Sequence, residues 1–162
     1  MNPRIAQNIN DFFKMEGKVA IVTGAGNGIG KATAKMMAGF GAIVIACDIE
    51  ADSVDAAVAE IIADGWQARA FTCDITQLDQ IRAVVDQTLA DYGTIDILVN
   101  NGATLGGGKR VEEVDSPEFD RLISVNLKGV YNFIAAVLPT MRAKQSGKIV
   151  SVSSVAALAG DY

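Results

Sequence analysis

A short apolar run, Val19 to Thr23, leads straight into Gly24-Ala25-Gly26-Asn27-Gly28-Ile29-Gly30, and a stretch of good helix formers, Lys31 to Phe40, follows at once. Few folds accept that order. The run predicts a buried strand, and the glycines let the chain turn tightly into a helix whose first N–H groups have no partner within it. A side chain at the crest of such a turn would block an approaching diphosphate. Glycine removes the block, and the helix dipole adds to the attraction. Thr23, Gly24, Asn27, Gly28, Ile29 and Gly30 are therefore candidate cofactor-binding residues.

The same alternation continues along the chain. Gly41 closes the first helix, and Ala42 to Cys47 reads as a second strand. Val54, Val58, Ile61 and Ile62 share a helical face that ends at Gly65, and Ala68 to Cys73 is a third strand. Thr76 is placed to cap the next helix, with Asp79 as a weak capping box and Leu78, Ile81, Val85 and Tyr92 as its inner face. Ile95 to Val99 is a fourth strand, followed by a glycine-rich loop from Gly102 to Gly108. Ser116-Pro117-Glu118 reads as cap, first-turn proline and acid, and starts a helix that runs to Ala143, before a fifth strand from Lys148 to Val152. Repeated strand–helix units with right-handed crossovers predict an α/β fold, a doubly wound parallel sheet of Rossmann-like form. Residues 16–162 make one domain, and residues 1–15 an N-terminal extension. Ile5, Ile9, Phe12 and Phe13 have the spacing of an amphipathic turn; an equal reading is that Met15 is the natural start.

Composition removes several functions. The 162 residues contain no histidine, so no His-based triad or His metal site can form, and no metal is expected. A net charge of −5 without a long basic run argues against nucleic acid as a partner. Half the residues are hydrophobic and only 6% aromatic, which suits small aliphatics layered between helices and a parallel sheet. No run reaches the roughly 18 apolar residues of a membrane span, and the polar N-terminus lacks a signal peptide's apolar core. Cys47 and Cys73 read as reduced, buried thiols of a cytoplasmic protein, the alternative being a disulfide or a reactive pair.

Asp48 ends the second strand. An acid there, about 20 residues beyond the glycines, accepts hydrogen bonds from ribose hydroxyls and repels a 2′-phosphate. No Arg or Lys stands at Asn27 or Ile49 to bind that phosphate, so the expected cofactor is NAD rather than NADP. The bland alternative is a structural glycine turn with a surface aspartate.

The spacing of Thr23-Gly24, Gly28 and Gly30 resembles the short-chain dehydrogenase/reductase family, and further signatures follow in family order. These are Cys73-Asp74-Ile75, Asp96-Ile97-Leu98-Val99-Asn100-Asn101, Ser124-Val125-Asn126, Gly147-Lys148-Ile149-Val150 and Ser153-Ser154. The resemblance implies an NAD-dependent oxidoreductase that interconverts a secondary alcohol and a carbonyl by hydride transfer. Ile49, Asp74, Ile75, Asn101 and Gly102 join the cofactor site, with Asp74 on the adenine amino group. Asn126, which holds a water of a proton relay in the family, and Ser154, which bonds the substrate oxygen, are the catalytic residues. The resemblance also implies a small alcohol or ketone as substrate and a homo-oligomer, dimer or tetramer, paired through the helix from Pro117. Helical spacing of Phe119, Leu122, Asn126, Val130, Phe133 and Val137 independently places Asn126 on the inward face, where its amide needs partners; a bond to backbone would serve equally.

Two departures stand out. The family's usual Ala-Gly after the asparagines is reversed here as Gly102-Ala103, which would strain Ala103 if a positive φ is needed there. The family's catalytic tyrosine and lysine would fall beyond Tyr162, which itself stands too close to Ser154 and reads as an ordinary loop residue. The expectation is a C-terminally truncated domain, with five strands present, the remaining strands missing, and the fifth left as an apolar edge. Alternatives are a catalytically dead dinucleotide-binding fragment and a remnant that does not fold stably.

Overall fold

Five apolar runs form five strands because each is too short for a helix and each is bounded by a turn. The computed structural model describes residues 13–156. Ile5, Ile9 and Phe12 of the expected N-terminal turn, and Tyr162, lie outside the described residues. In chain order the elements are β1 (Val19–Thr23), α1 (Gly28–Gly39), β2 (Ile43–Asp48), α2 (Ala51–Ala63), β3 (Ala68–Thr72), α3 (Leu78–Tyr92), β4 (Ile97–Asn100), α4 (Ser116–Ile123), a π-helical turn (Ser124–Gly129), α5 (Val130–Ala143) and β5 (Lys148–Ser151). The sheet is parallel throughout, in the order β3-β2-β1-β4-β5. The chain works outward from β1 in one direction and then, from β4, in the other. That reversal opens a crevice beyond the carboxyl ends of β1 and β4, where open α/β sheets place ligands.

Strand alternation builds two cores. Val19 and Ile21 of β1 face Leu98, Ile81, Val84, Phe133 and Val137, under α3 and α5. Ala20 and Val22 face Ala34, Ala38, Val54, Val58 and Ile61, under α1 and α2. Phe13, at the edge of the described chain, sets its ring 5.6 Å from that of Phe40, and the Met15 N–H donates to the Phe40 carbonyl at 2.7 Å.

Several local expectations shift. Ile62 is exposed although its neighbour Ile61 is buried, so the inner face of α2 is narrower than its apolar residues suggest. On α3, Ile81 and Val85 are buried as expected, joined by Val84 and Thr88; Tyr92 packs part-buried against the same core, and Leu78 is exposed. Thr76 does not cap α3: its hydroxyl donates to Asp74 Oδ1 at 2.8 Å, and Gln77 takes the cap position without a side-chain bond. Asp115, not Ser116, caps α4, its Oδ1 accepting the Glu118 N–H at 2.9 Å; a carboxylate there also gains from the helix dipole. The expected helix does run from Ser116 to Ala143, with a π-helical turn in its middle where a regular α-helix was expected. The whole run Ser116–Ala143 is long and apolar enough, by those criteria alone, to cross a membrane, but Phe133, Val137 and Met141 pack it on the sheet.

Both cysteines are free and buried. Burial, reinforced by Asp74 and Asp79, pushes the Cys73 thiol up to about 11, and burial likewise raises Cys47, so both stay protonated at neutral pH. At the opposite end of the sheet from the crevice, Asp96 accepts the Val19 N–H at 3.0 Å and the Lys144 ammonium at 2.5 Å, tying β1, β4 and the end of α5 together.

Candidate functional site

The carboxyl ends of the central strands open into a cavity of about 660 Å³. Eight residues anticipated from sequence line it: Gly24, Asn27, Asp48, Ile49, Asp74, Ile75, Asn101 and Gly102. Cys73, Thr76, Ala103, Thr104, Arg121 and Val125 line it too, and sequence reasoning had not assigned them there. Cys73, Thr76 and Val125 adjoin Asp74, Ile75 and Asn126 in the chain. Arg121 reaches the wall only because α4 lies beside the loop after β4, and no local signal could have placed it.

The glycine loop divides its work. Gly28 has φ +54° with open space on the side where a Cβ would stand, so its backbone is both left-handed and unobstructed. The first helical bond of α1 is Lys31 N–H to the Asn27 carbonyl at 3.1 Å, and no side chain caps the helix. The N–H groups of Gly28, Ile29 and Gly30 therefore stay without an intrahelical acceptor. Gly30 does not line the cavity; a Cβ there would overlap the Gly24 carbonyl oxygen and come within 2.5 Å of Asn101 Nδ2, so its bareness lets α1 close on the loop.

Thr23 is buried and also lies off the cavity. Its Oγ1 accepts from the N–H groups of Asn101 (3.0 Å) and Gly102 (2.9 Å), and the Asn101 amide donates back to the carbonyls of Thr23 (3.0 Å) and Gly24 (3.1 Å). These four bonds staple β4 to the glycine loop. Gly102 is needed for close approach, since a Cβ would sit 3.2 Å from Thr23 Oγ1 and 3.3 Å from Ile75 Cδ1. The strain anticipated at Ala103 is absent: among the described residues Gln145 is the non-glycine with positive φ.

Two carboxylates face the cavity. Asp48 Oδ2 accepts the Gly26 N–H at 2.8 Å and Oδ1 the Glu50 N–H at 3.1 Å. Asp74 Oδ1 accepts the N–H and hydroxyl of Thr76, both at 2.8 Å. Both acids are thus oriented by local backbone. Among the described residues there is no cluster of three or more possible metal ligands.

A sequence profile of the short chain dehydrogenases matches residues 18–161. The chain belongs to that family. It is 40% identical over 148 residues to a 3-oxoacyl-[acyl-carrier-protein] reductase of Thermotoga maritima, covering 91% of this chain and 60% of the relative. A metagenomic short-chain oxidoreductase in complex with NADP superposes with a TM-score of 0.83 at 37% identity, covering 86% of this chain and 63% of that one. A 7α-hydroxysteroid dehydrogenase complexed with NADH and 7-oxo glycochenodeoxycholic acid gives 0.87 at 37% identity, covering 93% and 58%. The chain spans 54–60% of the length of the curated relatives it matches.

In this short chain dehydrogenase the two expected catalytic residues stand apart from the cavity lining. Asn126 is exposed rather than inward-facing. The π turn inserts extra backbone into the helix and changes the phase on which the spacing argument depended. Its amide reaches the cavity wall instead, with Oδ1 accepting the Thr104 N–H at 2.8 Å and Nδ2 donating to the Thr104 carbonyl at 2.9 Å. Ser154 is exposed beyond β5, and its Oγ accepts the Ala156 N–H at 3.2 Å.

Proposed function

We propose that this short chain dehydrogenase binds NAD in the cavity and serves hydride transfer between a secondary alcohol and a ketone or aldehyde. Solved relatives carry either NADP or NADH, so membership alone does not choose between them. The observation that carries the choice is Asp48: its carboxylate lies on the cavity at the end of β2 and is held there by two backbone N–H groups. Each oxygen keeps a lone pair for a ribose hydroxyl, and the charge opposes a 2′-phosphate. The unpartnered N–H groups at the start of α1 suit the diphosphate, and Ile49 and Ile75 suit the faces of the base. The free Oδ2 of Asp74 suits the adenine amino group. When bound, the nicotinamide ring supplies the hydride donor or acceptor. Ser154 would hold the substrate oxygen by its hydroxyl, and Asn126 would act in the proton relay while fixing Thr104 at the wall.

The substrate is a small alcohol or ketone, and the working form is a homo-oligomer in the cytoplasm. Phe119, Ile123, Leu127 and Tyr131 follow one another at four-residue spacing and are 41–67% exposed, which gives a second copy an apolar stripe to cover. Two buried thiols, unpaired, suit a reducing compartment.

Calorimetric titration of NAD and NADP tests the cofactor assignment. NAD should bind at least about tenfold tighter, and Asp48→Arg should move the preference towards NADP. Unchanged selectivity in Asp48→Arg would remove Asp48 from the ribose. A second reading, dinucleotide binding without turnover, draws on the exposed position of Ser154 off the cavity lining. NADH formation from a panel of secondary alcohols by this chain alone would eliminate it.

A further inference from the structure

Gly26 is not part of the cavity lining, and its backbone does not require glycine, since the left-handed glycines of the described chain are others. What requires glycine is crowding. A Cβ at Gly26 would stand 2.8 Å from Ser53 Cβ, 3.0 Å from Asp48 Oδ2 and 3.1 Å from Asp48 Cγ. The glycine loop, the end of β2 and the first turn of α2 therefore meet at one point with no room between them. At that point the Gly26 N–H donates to Asp48 Oδ2 at 2.8 Å, while the Glu50 N–H holds Oδ1 at 3.1 Å from the other side.

We infer that Gly26 is a positioning residue that sets cofactor choice by clamping the Asp48 carboxylate between the glycine loop and α2. The inference rests on the NAD reading above and deepens it. A carboxylate on a free rotamer can swing away from an incoming phosphate and so lose much of its repulsion. One anchored through each oxygen cannot, and it also presents its remaining lone pairs to the ribose at a fixed angle. Any side chain at position 26 must displace either Asp48 or α2. The charge at Asp48 and the bareness of Gly26 thus act as one device.

The test is titration of NAD and NADP into the wild-type chain, Asp48→Ala, Gly26→Ala and the double variant Gly26→Ala/Ser53→Gly, with melting temperatures measured in parallel. Gly26→Ala should lower the NAD-to-NADP preference about tenfold, chiefly by weakening NAD. Ser53→Gly removes the Cβ–Cβ contact but leaves the contact with Asp48, so the double variant should regain melting temperature without regaining preference. Recovery of both together marks Gly26 as merely structural and overturns the inference. If Asp48→Ala lowers the preference and Gly26→Ala does not, the clamp fails while the NAD reading stands. A wild-type chain with no preference removes the NAD reading and the clamp with it. Should neither Gly26 variant fold, hydrogen exchange decides: the Gly26 amide should lose protection in Asp48→Ala, and undiminished protection there overturns the clamp.

Discussion

β1 and β5 both centre on an Ile-Val pair and end up in opposite environments. All five residues of β1 are buried, whereas in β5 only Ile149 is even partly covered, and Val150 is 53% exposed. β1 has a strand on each edge and helices over both faces. Among the described residues β5 pairs with β4 alone and rests on one face, where Ile149 meets the cluster containing Met141 and Val137. Apolar character made each a strand; the number of neighbours decided how far each was buried. The same contrast divides the site. The half built on β1 and β2 is fixed by close packing and backbone bonds, and the half around Asn126 and Ser154 lies in exposed turns.

The comparison breaks most visibly at Gly30. Gly30→Ala forces a Cβ onto the Gly24 carbonyl and should cost about 3 kcal/mol or more, read as a lowered denaturation midpoint. A variant of wild-type stability would show that the loop is softer than its geometry implies. Next come matched truncations. Val22→Ala should cost about 2 kcal/mol and Val150→Ala no more than about 0.5 kcal/mol by urea denaturation, because only the first empties a filled core. Equal losses would mean that β5 is covered in solution.

The smallest effect sharpens the picture at the far end of the sheet. Burial alone would raise the Asp96 carboxyl, but the Lys144 ammonium and the Val19 N–H outweigh it and hold it below the usual carboxylate value. A depressed folded value means that the stabilisation is fully present above the unfolded value of about 3.9 and is lost as pH falls through the folded one. Asp96→Asn should therefore cost about 1.5 kcal/mol at pH 7 and progressively less below pH 4, by denaturation at each pH. A cost that does not change with pH would assign the loss to packing.

Much of the fold was legible because its signals are local. Short apolar runs, Gly41 and Gly65 at helix ends, and the bare turn before α1 each act within a few residues, and each element formed where expected. Where a side chain has more than one local partner in reach, the sequence does not choose between them: Thr76 turns to Asp74, and Asp115 takes the cap of α4 in place of Ser116. Asn126 shows a different limit. A helical phase counted through Phe119 and Val137 assumes an α-helical repeat throughout, and the π turn shifts that repeat midway.

By itself the sequence determined strand against helix, the glycine turn, the acid at the end of β2 and the family. Those depend on backbone freedom, apolar periodicity and charge at fixed spacing, all of which operate along the chain. Tertiary structure alone decided that Thr23 and Gly30 are staples rather than lining, that Arg121 stands at the cavity wall, and that Gly26 meets Asp48 and Ser53. Each of those depends on how closely segments far apart in sequence approach one another, and no local pattern sets a distance between elements.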